Sequence, residues 1–405
     1  MRILVVADVY PPEVSSAANL MQELAEGLAH KGHAVTVVTA YPKHYLTEAS
    51  KDVVFEERSD ENGIEVIRVR ILPHHKVNFI VRGISQLTMP FLFFRKTKKY
   101  VKGKIDAAII YSPPLPLGLI AGMLKRRYGA RTLLNLQDIF PQNAIDLGIL
   151  KFKPAIWFFE RIEKCVYKKV DVITFHSEGG RKFLIETKHV PAYKIVAVPN
   201  WVDIEAYQVG AGEKSFRKEW NLENKFIFLF AGIFGPAQGL EFVLRVAEEL
   251  KDIKDAAFLL VGDGMEKEKI VARTKELNLT NVVIKPFISQ KEYASLVAES
   301  DVGLVCLSTK NKTSFVPGKL LGYMAAHKPA LAFLNKESDG FHAIKDAECG
   351  YATTADNLGE ATSLARKMYS ERGVLPAMGE RGFIYAKKNL SRDVIVEKLE
   401  KLLQK

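Results

Sequence analysis

Short, near-continuous apolar runs alternate with longer stretches of helical periodicity along most of the chain. The first run, 3–7, closes at Asp8, and a loop over Tyr10-Pro11-Pro12-Glu13 follows. Across 19–31, Leu20, Leu24 and Leu28 recur at the spacing of one helical face. Gly32 stops that helix and 34–39 is the next run. Strands apolar on both faces and joined by a helix predict a βαβ unit in a parallel sheet covered on both sides. Further strands are predicted over 66–69, 107–111, 132–136, 172–175 and 195–198.

The polar stretch 208–224, with Gly210 and Gly212, reads as a linker into a second series of the same kind. Strands over 226–231, 258–261, 282–284, 302–306 and 330–333 alternate there with helices over 240–250, 265–277, 290–298 and 319–326. The expected fold class is α/β, two Rossmann-like domains facing a cleft, bounded at 1–207 and 208–380. The last stretch, 381–403, is helical in pattern, basic near Lys387 and Lys388, and suited to capping the second domain. Ligands in such folds bind at the carboxyl ends of the strands.

Composition narrows the class. A chain of 405 residues, 48% apolar and 26% charged, suits a soluble protein of two domains. Cys165, Cys306 and Cys349 are far apart, which fits a reducing compartment, and no Cys/His cluster has zinc-ligand spacing. The first apolar run is too short for a signal-peptide core. The longest apolar stretch, 77–94, is interrupted by Asn78, Arg82, Ser85, Gln86 and Thr88 and falls short of a spanning helix. The formal charge of +11 is uneven: residues 1–200 hold 29 Lys+Arg against 19 Asp+Glu, the remainder 29 against 28. The basic first half points to an anionic partner. Arg68, Arg70, His74, His75, Lys76, Arg82, Arg95, Lys96, Lys98 and Lys99 surround Phe79, Ile80, Phe91, Leu92, Phe93 and Phe94, a composition suited either to an anionic bilayer or to a packed helix with solvated flanks. No nucleic-acid-binding module accompanies the charge.

Candidate chemistry sits at strand ends. In the first loop, Ser15, Ser16 and Asn19 precede or open a helix, where free backbone N–H groups can hold an anion; an ordinary βα loop capped by serine explains them as well. No Gly-x-Gly-x-x-Gly fingerprint or P-loop lysine follows the first strand, which disfavours a nicotinamide dehydrogenase and an ATPase. The run Gly232-Ile233-Phe234-Gly235-Pro236-Ala237-Gln238-Gly239 follows the first strand of the second half, and its glycines permit close backbone approach to a diphosphate. Gly262-Asp263-Gly264 ends another strand and suits either a nucleoside contact or a tight turn. Lys319 lies in the first turn of a helix begun by Pro317, a place unfavourable to a cation unless an anion is bound with it. Asp138, after the strand 132–136, can orient a sugar hydroxyl or cap a helix. His176 reads as a residue near the cleft and His33 as structural.

Taken in order, Tyr10-Pro11-Pro12-Glu13, the run 32–42, Ser112-Pro113-Pro114, Gln137-Asp138-Ile139-Phe140-Pro141, Pro199-Asn200-Trp201, Gly235–Leu240, Val261–Gly264 and Pro317–Ala326 resemble glycosyltransferase family 4 over essentially the full length. The nearest group is that of bacterial capsule, O-antigen and colanic-acid transferases related to the N-acetyl-fucosamine transferase WbuB. The resemblance implies a GT-B fold, a donor nucleotide (usually a UDP-sugar) held by the second domain, an acceptor held by the first, retention of anomeric configuration, and no obligatory metal or other cofactor. It also implies a C-terminal helix, 381–405, crossing back to the first domain. Lys319 and Asp138 match the group's lysine and aspartate. The expected donor contacts are Gly232, Gly235, Gln238, Gly262, Gly264 and Lys319, the acceptor loop Ser15, Ser16 and Asn19. An undecaprenyl-diphosphate-linked acceptor, peripheral contact with an anionic membrane and a cytoplasmic place at its inner face are the expected setting.

Four positions depart from the pattern. The family's second glutamate, its usual ribose ligand, falls on Gly322, and the first on Ser314. The first loop has Ser15-Ser16 where the family has Gly-Gly, and Ile233 replaces an asparagine. Two other functions compete with transfer. A UDP-sugar 2-epimerase lacks here the carboxylates and histidine it needs around the sugar. A non-catalytic partner of an assembly complex draws its support from Gly322 and Ser314.

Overall fold

The computed structural model describes every residue except 14, 43–45, 47–52, 74–78, 209–214 and 405. The chain forms two compact units, Met1–Pro199 with Arg392–Lys405, and Asn200–Ser391.

The first unit runs β1 (Arg2–Val6), α1 (Ser16–His30), β2 (Ala34–Ala40), β3 (Arg58–Glu61), β4 (Ile64–Val69), α2 (Phe79–Tyr100), β5 (Ala107–Ser112), α3 (Ile120–Tyr128), β6 (Arg131–Leu136), α4 (Gln142–Asp146), α5 (Lys153–Lys169), β7 (Val172–Phe175), α6 (Glu178–Glu186) and β8 (Ile195–Ala197). Its strands lie in the order β3-β4-β2-β1-β5-β6-β7-β8; β3 pairs β4 antiparallel and the others are parallel. The chain starts at β1, builds outward through β2 and β4, then returns to β1's other side with β5, so the order reverses between β1 and β5. Helix α1 begins at Ser16 rather than at 19, because the Ser15 hydroxyl accepts from Ala18 N–H at 3.1 Å and the small residues that follow carry no large apolar period. β3 has no apolar run and was not legible as a strand; besides the backbone ladder it is tied to β4 by polar side chains, Arg58 to Glu65 and Ser59 and Glu61 to Arg68, and its side chains are alternately exposed and half-buried.

The second unit runs α7 (Ile204–Gln208), α8 (Phe216–Glu219), β9 (Phe226–Ile233), α9 (Leu240–Glu249), β10 (Ala256–Asp263), α10 (Lys267–Glu276), β11 (Val282–Lys285), α11 (Gln290–Ala298), β12 (Val302–Cys306), α12 (Gly318–Ala325), β13 (Ala330–Leu334), α13 (Gly340–Ala347), β14 (Gly350–Thr354), α14 (Leu358–Ser370) and α15 (Leu375–Asn389). The parallel order is β11-β10-β9-β12-β13-β14, reversing between β9 and β12. Along β9, Phe226, Phe228 and Phe230 enter one core and Ile227, Leu229 and Ala231 the other, the period of two that a sheet covered on both faces requires.

The division between units falls before Asn200, not at 207/208. Trp201 and Val202 are buried in the second unit, where Val202 N–H donates to Leu390 C=O at 3.0 Å. The linker reading of 208–224 fails over its described part. Phe216 and Leu222 are core residues, and the Arg217 guanidinium binds Asp301 and the carbonyls of Lys225 and Glu299. Residues 209–214 lie outside the described part. Nor is 381–405 one helix. α15 belongs to the second unit and ends near Leu390, and a separate helix, α16 (Arg392–Gln404), belongs to the first. There a Cβ on Gly27 would stand 2.9 Å from Val396, Glu400 meets His33 at 3.0 Å, and Arg131 Nε donates to Leu402 C=O. His33, which also contacts the N-terminal amine at 3.1 Å, is structural as read from the sequence.

Candidate functional site

In the second unit the polar and glycine residues converge where the strand order reverses, the place where open parallel sheets bind ligands. β9 ends in Gly232-Ile233, and the loop to α9 crosses the end of β12: Ser308 N–H donates to Ala237 C=O at 2.8 Å, and the Cys306 thiol to Gly239 C=O at 3.3 Å. A Cβ on Gly239 would stand 3.2 Å from the Ser308 backbone, and Gly239 has φ +59°. The loop therefore needs glycine there for both space and conformation.

Lys319 reaches this loop from the first turn of α12. Its Nζ donates to Gln238 Oε1 at 3.0 Å and lies 4.6 Å from the Phe230 ring centre. A Cβ on Gly232 would stand 2.8 Å from Lys319 Cε, so the absent side chain makes room for the lysine. The residue is half-buried, and loss of water around the ammonium pushes its pKa down to about 8. Pro317 caps α12 without a side-chain bond to the first turn. The arrangement is a cation and helix-start amides gathered beside a glycine loop, with the cation short of negative charge.

The remaining glycines divide. A Cβ on Gly262 would stand 1.8 Å from Gly232 C=O, and one on Gly264 would stand 2.4 Å from Phe234 C=O. Packing of β10 against the β9 loop alone therefore demands glycine at both positions. Gly235 is buried, yet a Cβ there would meet nothing nearer than Ile233 at 3.7 Å, so packing alone does not demand glycine at that position. Ile233 itself is 63% exposed.

Gly322 lies buried inside α12, and a Cβ there would stand 2.7 Å from the Tyr207 hydroxyl. That hydroxyl, from α7, fills the space beside the helix, and its ring packs edge-on to Tyr293. Nothing in the local pattern of Tyr207 marks the space that a missing side chain far along the chain, in α12, leaves open. Ser314, the other glutamate position, is buried before α12.

In the first unit a polar group stands at the other reversal, between β1 and β5. Asp8 follows β1, Tyr111 and Ser112 end β5, and Asp138 follows β6. The charges of Asp138 and Asp8 both act on the Tyr111 phenol, whose pKa rises, first of all, from burial. Asp138 keeps an exposed side chain, yet enough protein surrounds it for desolvation to raise its carboxyl. His176 is buried, stacked on Phe175, and Nε2 donates to Gln137 C=O at 3.2 Å, which places the neutral tautomer's proton on Nε2. Of the acceptor-loop residues, Ser15 spends its hydroxyl on the α1 cap, Ser16 is exposed and Asn19 half-buried.

Asp8, read in the sequence only as the end of a strand, is 9% exposed; burial first, then the Glu13 carboxylate, push it up to about 7. The unfolded value lies near 3.9, so the folded state binds the extra proton between about 4 and 7. This group's contribution to stability therefore falls as pH rises through that window and stays unfavourable above it. Asp8→Asn is expected to melt above wild type at pH 8 and level with it at pH 4; equal melting temperatures at both values would refute the burial cost.

The basic region of the sequence splits. Arg68 is buried and bonds Ser59 and Glu61, holding the first loop through Pro11 C=O, so it is not a membrane-facing residue. Lys96 pairs with Glu57 at 2.5 Å, and Phe93 is fully buried, while Arg82, Phe91 and Arg95 are exposed. His74, His75 and Lys76 lie outside the described residues, as do the side chains of Phe79 and Ile80. Among the described residues no group of three His, Cys, Asp or Glu could hold a metal ion.

Two Rossmann-like units, one with a lysine and glycine loop at its strand reversal, define the class: the chain has the GT-B fold of glycosyltransferases. Residues 17–201 match the family described as the Glycosyl transferase 4-like domain, and residues 212–382 match Glycosyl transferases group 1. The chain belongs to the glycosyltransferases that join these two domains. Among its relatives is WcaI of Escherichia coli (strain K12), named as a colanic acid biosynthesis glycosyl transferase, 26% identical over 80% of this chain and 81% of that one. Another is the N-acetylgalactosamine-N,N'-diacetylbacillosaminyl-diphospho-undecaprenol 4-alpha-N-acetylgalactosaminyltransferase of Campylobacter jejuni, 24% identical over 49% of this chain and 50% of that one. The crystal structure of Anabaena HepE in complex with UDP shares the fold, with TM-score 0.72 at 14% identity over all of both chains.

Proposed function

We propose that the protein is a retaining glycosyltransferase of surface-polysaccharide assembly, moving a sugar from a UDP donor to an undecaprenyl-diphosphate-linked saccharide. The observation that carries this reading is Lys319, half-buried beside the Gly232–Gly239 loop and bonded to Gln238. A bound diphosphate would supply the charge that this ammonium lacks. The UDP complex of HepE, built on the same fold, supports UDP as the nucleotide, and the name of the Campylobacter relative supports a lipid-diphosphate acceptor.

In the reaction, the acceptor hydroxyl oxygen bonds to the anomeric carbon as the bond from that carbon to the β-phosphate oxygen breaks. The hydroxyl proton passes to the released diphosphate. Lys319 and the α12 amides stabilise the charge that gathers on the leaving oxygen, and Asp138 orients the acceptor hydroxyl. No metal enters this scheme. Among the described residues no helix is long and apolar enough to cross a membrane; the setting proposed is the cytoplasmic face of the cell membrane, held peripherally.

Calorimetry with UDP, GDP, ADP and NAD tests the reading. UDP is expected to bind in preference, with affinity falling as pH rises above 8, because the lysine must then take up a proton to meet the diphosphate. The limit is about tenfold per pH unit, and Lys319→Ala removes the slope. Absence of any nucleotide binding would favour a non-catalytic partner, the reading to which the loss of glutamate at Gly322 lends support.

A further inference from the structure

Helix α5 presents an apolar surface that the first unit's core does not use. Its inner side is spent on packing: Ile162, Val166 and Tyr167 are buried, and Phe159 meets Phe140 edge to face at 5.0 Å. The outer side and the turn before it expose Ile149 (68%), Phe152 (66%), Trp157 (59%) and Phe158 (43%). Four large apolar side chains within ten residues of chain are unlike the single exposed residues of an ordinary surface.

Charge identifies the occupant. Across 148–169 stand six Lys or Arg and two Glu. Of the two, Glu163 is buried and paired with Lys188 at 3.2 Å. Lys151 and Lys153 flank Phe152 and are exposed, and the Arg161 guanidinium lies 5.1 Å from the Trp157 ring centre. Trp157, Arg161, Lys164 and Lys168 follow one another at helical spacing, all exposed. Protein interfaces deplete lysine at their centres. Aromatic residues interleaved with lysines instead match the boundary of an anionic bilayer, where rings enter among the acyl chains and long basic side chains reach the phosphates.

We propose that this face, from Ile149 through Lys168, docks the protein on an anionic lipid bilayer. The proposal rests on the reading of a lipid-linked acceptor and gives it a place. The segment follows Asp138 along the chain with only α4 between, so docking holds the carboxyl end of β6 close to the lipid surface. The sequence pattern had pointed to α2, most of whose aromatic residues the core takes up.

Co-sedimentation of the full chain with vesicles tests this, using phosphatidylcholine alone and phosphatidylcholine mixed with phosphatidylglycerol. The wild type is expected to sediment with the anionic vesicles. The triple variant Ile149→Ser, Phe152→Ser, Trp157→Ser is expected to lose about a hundredfold in partitioning. Lys151→Glu with Lys153→Glu abolishes the preference for the anionic lipid, and Phe91→Ser on α2 binds as wild type. All these residues are exposed, so the melting temperature should hold. A dye on the exposed Cys165, with Cys306 and Cys349 buried, should shift to the blue on binding. A wild type that stays in solution, or a triple variant that sediments like it, overturns the proposal. Self-association that the triple variant abolishes, without vesicle binding, assigns the face to a second copy and overturns it too. UDP binding measured on the same preparations is expected to be unchanged, so failure of docking and failure of the transferase reading appear in separate readouts.

Discussion

Lys319→Ala is expected to lower kcat by about a hundred- to a thousandfold, the loss found when one preorganised donor to a developing oxyanion is removed. The lysine is suited to this because it is already placed: Gln238 holds its Nζ at 3.0 Å, and the missing side chain of Gly232 leaves it room. No reorganisation is then needed as the diphosphate leaves. Stability should move little, or rise. Loss of water already pushes the ammonium's pKa down to about 8, far below an unfolded lysine, so the folded state binds fewer protons between about 8 and 10 and carries a burial cost at neutral pH. Removing the charge relieves that cost. Rates of UDP release with acceptor present, together with thermal melts at pH 7, measure both effects. An unchanged kcat, or a variant that unfolds, would show that Lys319 serves the fold and not the transfer.

How much of this was legible in the chain depended on which physical signal carried it. The alternating apolar runs gave the parallel strands, because a strand buried on both faces has no polar positions to obscure it. Helix starts and the unit boundary were less legible. Ser15 begins α1 through one side-chain bond, and Trp201 and Val202 join the second unit through burial and one bond to Leu390, none of which leaves a period. The same holds for the site. Lys319 could be singled out because a cation in the first turn of a helix is locally unfavourable. The surroundings of Asp8 and the hydroxyl of Tyr207 are products of tertiary packing, with no local conflict to betray them. Arg68 shows the converse error: charge along the sequence suggested a surface, while the fold buries that residue between β3 and the first loop. Aromatic residues of α5 and α2 look alike in sequence, and only their burial tells a core helix from one with a spare face.

Restoring a glutamate at position 322 tests whether the departure from the family pattern has been absorbed by the fold. Gly322 lies within α12, where helix propensity alone would make glutamate more stable by roughly 0.5–1 kcal/mol. Gly322→Glu is nonetheless expected to destabilise, because its Cβ would stand 2.7 Å from the Tyr207 hydroxyl. Overpacking of that kind costs about 1–3 kcal/mol, enough to exceed the propensity gain and lower the melting temperature by several degrees. UDP affinity should not improve, since the carboxylate cannot enter the space that Tyr207 occupies. Pairing it with Tyr207→Ala opens that space, and the double variant is expected to bind UDP about tenfold more tightly than the single one, the contribution of a hydrogen bond to a charged group. Calorimetry and thermal melts on wild type, both single variants and the double variant close the cycle. A single Gly322→Glu variant that gains both stability and UDP affinity would mean that Tyr207 yields freely, and that the glycine is a simple loss. Coupling between the two positions would mean that the tyrosine has taken over the place of the family's carboxylate, and with it the room beside the donor.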